Sequence, residues 1–137
     1  MDRQPGKLKI LVVDDDEPSR LIITTLAARE GHEVFEAGTG AAGLKLFDII
    51  QPDIVFSDIS MPVMDGLQML ERIRERSHTA VVIMTTAFGA AEFTLKALRL
   101  RANDYLVKPI ALGDITSALR KYADVIASRS EEREVLA

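Results

Sequence analysis

Three kinds of reactive side chain in this sequence stand at comparable places. Three consecutive carboxylates, Asp14, Asp15 and Asp16, follow the apolar run Ile10–Val13, and a fourth, Asp58, ends D-I-V-F-S-D. Two hydroxyls, Thr85 and Thr86, end A-V-V-I-M-T-T, and one ammonium, Lys108, ends N-D-Y-L-V-K. Singly, each has an ordinary explanation: an aspartate caps the next helix or makes an Asx turn, threonines satisfy strand-end backbone, and Lys108-Pro109 makes a turn. Jointly they ask for more, because capping does not explain why acid, hydroxyl and ammonium end together. Several carboxylates within a few ångströms cannot all stay ionised without a cation, and Lys108 supplies only one positive charge. A hard divalent ion such as Mg²⁺ fits, since it takes oxygen ligands and keeps several waters beside one or two carboxylates. Such an ion and a lysine around a carboxylate with an open face suit phosphoryl transfer, where the protein mainly positions groups and offsets charge. A carboxylate can itself be the nucleophile, giving an acyl phosphate.

The elements around these residues determine whether they meet. Apolar β-branched runs alternate with segments of helical period. Strands are expected at Lys7–Val13, Glu33–Ala37, Asp53–Ser57, Ala80–Met84 and Asp104–Val107; continuous apolar runs suit a parallel sheet buried on both faces. Pro18 suits a first helical turn, and Leu21, Ile22, Thr25, Leu26 and Arg29 give the first helix its rhythm, with Gly31 as its stop. Thr39 caps a second helix through Leu44, Phe47 and Ile50, ended by Pro52. Asp65-Gly66 opens a third, with Leu67, Leu70 and Ile73 as its apolar stripe, Met69 beside it, and Arg72, Arg74 and Glu75 as its polar face. Further helices are expected at Ala90–Ala102 and Leu112–Ala127. Five strand–helix units give a doubly wound α/β fold with a five-stranded parallel sheet. Ligands of such sheets bind beyond the carboxyl ends of the strands. There strands one, three, four and five deliver the acids, the hydroxyls and the lysine, which converge if the strand order is 2-1-3-4-5.

These pieces, I-L-V-V-D-D-D-E-P, D-I-V-F-S-D-I-S-M-P-V-M-D-G, V-I-M-T-T-A and N-D-Y-L-V-K-P, occur in order over residues 7–127. Together they resemble the receiver domain of two-component response regulators, a flavodoxin-like (βα)5 fold. The resemblance implies that Asp58 is the phosphoacceptor, fed by a histidine kinase or a histidine phosphotransfer protein. It implies that Asp15 holds Mg²⁺ (or Mn²⁺) directly, Asp14 largely through water, with Asp58 and the Ser60 backbone carbonyl as further ligands. Lys108 would pair with the phosphoryl oxygens, and the peptide before Pro109 would be cis. Thr86 is similar to the switch hydroxyl and Tyr105 to the aromatic that turns inward when it moves. The strand 4–helix 4–strand 5–helix 5 surface would then serve an output partner or domain, or a homodimer formed on phosphorylation. Asp16 receives no metal role; it shapes the helix entry or faces solvent. Arg101 stands where the family usually has glycine, so a different turn is expected before strand five. Ser60 and Phe88 stand where such domains tune phosphoryl lifetime; neither can orient an attacking water, so slow loss is expected.

Composition sets the bounds. The chain has 137 residues, a net charge of −4 and no cysteine. Its size suits one domain with a real core, here residues 7–127. Residues 1–6 read as an N-terminal extension, and 128–137 as a charged tail, either helix extension or linker. No basic footprint argues for nucleic acid, no apolar run approaches the ~20 residues of a membrane span, and the start lacks the apolar core of a signal peptide. A cytoplasmic, non-enzymatic domain that only accepts and loses its own phosphoryl group is the resulting expectation. His32 and His78 are expected in solvent, at the strand ends opposite the acids. Two rivals stand beside this reading. Asp14-Asp15-Asp16 also fits the D-x-D of haloacid-dehalogenase-like phosphatases, with Asp14 as nucleophile and Asp16 as general acid; no suitably spaced later acidic pair completes it. A pseudo-receiver without phosphorylation would not need the acid, hydroxyl and lysine together.

Overall fold

The computed structural model describes residues 6–87 and 91–136. Five strands, β1 (Lys9–Val13), β2 (Glu33–Ala37), β3 (Ile54–Asp58), β4 (Val81–Ala87) and β5 (Asp104–Lys108), alternate with five helices. These are α1 (Glu17–Arg29), α2 (Gly40–Ile50), α3 (Gly66–Arg76), α4 (Ala91–Arg99) and α5 (Leu112–Leu136). All pairings are parallel and the order is β2-β1-β3-β4-β5, as the convergence of the strand ends required. Helix α4 stops at Arg99, three residues short of the expected end, whereas α5 continues through residue 136. No helix among the described residues is long and apolar enough to cross a membrane.

Alternation along the strands divides the core in two. Ile10, Val12, Ile54, Phe56, Val81 and Ile83 face α1 and α5, where they meet Ile23, Ala27, Ile115 and Leu119. Leu11, Val13, Val55, Val82 and Met84 face the other way, onto Leu44 and Phe47 of α2, Met69, Leu70 and Ile73 of α3, and Ala97 of α4. Each of the valine, leucine, isoleucine, phenylalanine and methionine side chains, taken fully out of water, contributes roughly 1.5–3 kcal/mol. Helix α1 differs from its expected face. It buries Ile23, Thr24 and Ala27, while Leu21 and Ile22 are 61% and 43% exposed. The small Ala27, 0% exposed, is among the residues at the contact with the sheet-facing cluster, and the larger Leu21 and Ile22 lie on the flank.

A second correction concerns α3. Arg74 does not belong to a polar face; it is 6% exposed. Its Nε and Nη2 donate to the Arg101 carbonyl (3.0 and 2.8 Å), and Nη1 to the carbonyls of Ala80 (2.7 Å) and Ser77 (3.3 Å). Nη2 also donates to Asn103 Oδ1 (2.9 Å), which accepts the Val82 N–H as well (2.8 Å). Burial, with the charges of Arg101 and Arg129 nearby, lowers the Arg74 pKa. Among the described residues no carboxylate pairs with it; backbone carbonyls solvate the cation instead.

Arg101 itself occupies the left-handed region at φ 70°, so the turn into β5 keeps a backbone that glycine favours, with arginine in its place. That conformation costs a residue bearing a Cβ roughly 1–2 kcal/mol, of which glycine's unfolded-state freedom returns about 0.5–1. Arg101→Gly is therefore expected to raise stability in urea unfolding by ~0.5–1 kcal/mol. A lower midpoint would mean that the Arg101 side chain, 3.4 Å from His78 Nδ1, holds the turn. His78 is exposed, as expected. His32 is not simply solvated: it is half-buried, its Nδ1 accepts the Leu8 N–H (3.1 Å), and burial lowers its pKa.

Candidate functional site

The β1–β3 and β3–β4 registers put Asp14, Asp58 and Thr85 in one row on the α1/α5 face of the sheet. Lys108, opposite Ala87, lies on that face one step further along. The lysine ammonium reaches back across β4 to bridge Asp14 Oδ2 (3.0 Å) and Asp58 Oδ2 (3.2 Å). Asp58 Oδ1 accepts the Ser60 N–H (3.2 Å), and Asp14 Oδ1 accepts the Asp16 N–H (2.9 Å). Carboxylate oxygens of Asp14, Asp15 and Asp58 all lie within 4.8 Å of one another; Asp14 and Asp58 are buried and Asp15 is exposed. One side of the cluster is thus closed by the sheet and the other is open to solvent.

The electrostatics follow from that packing. Burial raises the Asp58 pKa, Lys108 opposes this, and Asp14 raises it further. Burial alone would lower the Lys108 pKa, but its contacts with Asp14 and Asp58 outweigh burial and raise it. One ammonium between two buried carboxylates leaves negative charge uncompensated. Three convergent hard oxygen donors with an open face are the donor set of Mg²⁺, so the residues present fit such an ion.

Neighbouring residues fix this geometry. Gly66, at the start of α3, lies so close beneath Asp58 that a Cβ there would clash with the Asp58 carbonyl oxygen. Its N–H donates to the Ile59 carbonyl (2.8 Å), and Asp65 caps the helix in a reciprocal box with Gln68. Arg20, absent from the sequence reading, donates from Nη1 to the Asp14 carbonyl (2.8 Å) and from Nε to Glu36 (2.7 Å). Its position on the first turn of a helix starting beside the acids was the available signal. Asp16 is the α1 N-cap: it accepts from the Ser19 N–H and hydroxyl, and these bonds lower its pKa.

The hydroxyls are arranged differently. Thr86 is buried on the α4 side, the face that Tyr105 shares, and its hydroxyl makes one long bond to the Ala87 carbonyl (3.4 Å). Tyr105 points outward, 40% exposed. Thus Thr86 makes no hydrogen bond to Asp58 here. The peptide between Lys108 and Pro109 is cis. Ser60 is exposed, and Phe88 lies outside the described residues.

A doubly wound parallel sheet whose carboxyl edge sets one buried aspartate between an acid pair and a lysine defines a class, that of phosphoacceptor α/β domains. Comparison with known proteins narrows it. The family model for the response regulator receiver domain matches residues 10–120. Regulatory protein AtoC of Escherichia coli is 35% identical over 127 residues, 93% of this chain and 28% of its own. Chemotaxis protein CheY of Listeria monocytogenes is 38% identical over 117 residues, 85% of this chain and 98% of its own. The solved REC domain of AraT, a response regulator from Geobacillus stearothermophilus, superposes with a TM-score of 0.83 at 28% identity, covering 90% of this chain and 98% of that one. The chain belongs to the response regulator receiver domain family, the phosphoacceptor signalling domains of two-component systems. It spans under a third of the length of AtoC and nearly all of CheY. Nothing in these relatives supports the phosphatase reading, and Asp14, which that reading needs as nucleophile, is 1% exposed with both oxygens engaged.

Proposed function

We propose that Asp58 accepts a phosphoryl group from the phosphohistidine of a sensor kinase or of a phosphotransfer protein. An Asp58 carboxylate oxygen forms the new P–O bond, the P–N bond breaks, and the imidazole keeps the bonding pair. The observation that carries this reading is the placement of the Asp58 carboxylate. It is buried, bound by Lys108 on one oxygen and by the Ser60 N–H on the other, and close to Asp14 and Asp15. Asp15 and Asp58 would hold Mg²⁺ or Mn²⁺ directly, with Asp14 acting through water and the Ser60 carbonyl as a further ligand. Such an ion supplies positive charge toward the transferred phosphoryl oxygens. Lys108 offers its ammonium to the same oxygens.

Phosphorylation adds nearly two negative charges and three acceptor oxygens at Asp58. Thr86, a buried hydroxyl at the end of the neighbouring strand, swings toward them, and Tyr105, outside on the same face, takes the vacated space. The repacked β4–α4–β5–α5 surface, where Leu95, Leu98, Tyr105 and Val107 are exposed, then meets an output partner or a second copy. The domain carries out no chemistry on other molecules beyond its own phosphorylation and dephosphorylation, and it works in the cytoplasm. Residues 7–127 are its folded unit, with 1–6 and 128–137 as extensions.

The test is incubation with a small acyl phosphate and Mg²⁺, followed by intact mass and peptide mapping. One phosphoryl mass on Asp58, absent without the divalent ion, is expected; an unmodified protein would leave a pure interaction module. The lifetime of the adduct is a separate expectation. Ser60 carries no carboxylate or amide to orient water, and Phe88 is bulky, so the adduct should outlast a time scale of seconds and be shortened by Phe88→Ala. Loss within seconds, with Phe88→Ala indifferent, removes that expectation.

A further inference from the structure

Thr85 is 1% exposed, yet its hydroxyl is, among the described residues, the one buried side-chain polar atom without a hydrogen-bond partner. A buried hydroxyl left unpaired is destabilising, and valine has nearly the same shape. The register gives the hydroxyl a setting. Thr85 pairs with Asp58 on one side and with Leu106 on the other, so its side chain shares the sheet face of Asp58 and Lys108. Lys108 starts on β5 and reaches Asp58 at the end of β3 and Asp14 just past the end of β1, so its side chain must cross β4, the strand that carries Thr85. An ammonium has three N–H donors, and two are used, on Asp14 and Asp58.

A divalent ion among Asp14, Asp15 and Asp58 competes for both acceptors of the lysine and repels its charge. A displaced ammonium then needs an acceptor on the same face. We propose that Thr85 is a positioning residue whose hydroxyl oxygen accepts a Lys108 N–H once the acid cluster is occupied by a divalent ion, keeping the ammonium beside the phosphoryl site. This rests on the metal reading above and adds to it a residue with no assigned role there. It gives the hydroxyl a partner in the metal-bound state and explains its tolerance in the metal-free one.

Two effects of opposite sign follow from Thr85→Val. Without metal, removing an unpaired buried hydroxyl should raise the urea midpoint. With metal, losing the acceptor should weaken Mg²⁺ binding about tenfold or more by calorimetry, because the hydrogen bond lost is one to a charged group. Thr85→Ser should bind like wild type, and Thr85→Ala, the second hydroxyl-free variant, like valine. The Lys108 ammonium resonance should shift on Mg²⁺ addition in wild type and Thr85→Ser, and differently in the hydroxyl-free variants. Mg²⁺ affinity of Thr85→Val within twofold of wild type overturns the inference and leaves the metal reading intact. A wild-type protein that binds no Mg²⁺ overturns both.

Discussion

Asp58→Asn should give a protein that takes up no phosphoryl group yet unfolds at higher urea concentration than wild type when no divalent ion is added. The first effect follows from losing the nucleophilic oxygen while the surrounding shape stays. The second follows from the charge balance: Asp14 and Asp58 share one ammonium, and the amide removes one buried negative charge. The pH dependence has a definite sign. Burial first, and Asp14 after it, lift the Asp58 pKa above its ordinary 3.8, against the pull of Lys108. The folded state therefore holds this proton more tightly than the unfolded state does. Stability from this group is fully present below the ordinary value and lost as pH rises through the raised one. The advantage of Asp58→Asn over wild type should thus open as pH increases through that window. Mg²⁺ should close the gap, because binding to the native wild-type site adds stability by mass action. Chemical denaturation across acid to neutral pH, with and without Mg²⁺ and with intact-mass phosphorylation alongside, checks all four. A midpoint below wild type throughout would mean that the Asp58 contacts to Lys108 and Ser60 outweigh repulsion from Asp14.

Arg74→Ala should cost ~3–5 kcal/mol, the scale for removing one member of a buried charged network. The guanidinium serves the carbonyls of Ala80 and Arg101 and the Asn103 amide oxygen, and alanine leaves these without the donor and leaves a void. Arg74→Lys should recover a minor part, since a point charge with three donors cannot span acceptors that a planar fork reaches. Urea unfolding of the three proteins decides it. A loss below ~1 kcal/mol for alanine would show that water takes over the arginine's bonds.

The acid, hydroxyl and lysine positions were legible because each ends an apolar run, and parallel topology carries run ends to one edge. The strand order followed from the same convergence. What escaped was mostly side-chain direction. Arg74 read as polar surface because arginine in a helix usually is; its burial depends on carbonyls of the Arg101 turn, 27 residues away. The α1 face was misread because Leu21 and Ile22 outweigh Ala27 in any hydrophobic pattern, although the small residue is the one that fits the sheet. Arg20 was missed because its partner is a backbone carbonyl, which no residue type announces. Thr85 and Thr86 are adjacent in sequence and alike in type; only the register separates the row of Asp58 from the face of Tyr105.

The two halves of the site stand on unequal foundations. The acids extend from β1 and β3, each hydrogen-bonded to strands on both sides, whereas the lysine extends from β5, which pairs with β4 alone. The start of β5 is clamped: the Tyr122 hydroxyl shares its one proton between the Asn103 carbonyl and the Asp104 carboxylate, each 3.0 Å away, and Asn103 in turn holds Arg74. Strand β5 is therefore an edge strand held at two points, at Asp104 by Tyr122 and at Lys108 by the acids across β4. Backbone with a single neighbour opens at lower free energy than backbone with two. A shift of β5 along or away from β4 would accordingly move the ammonium without moving the strands that carry the acids, which pair with each other.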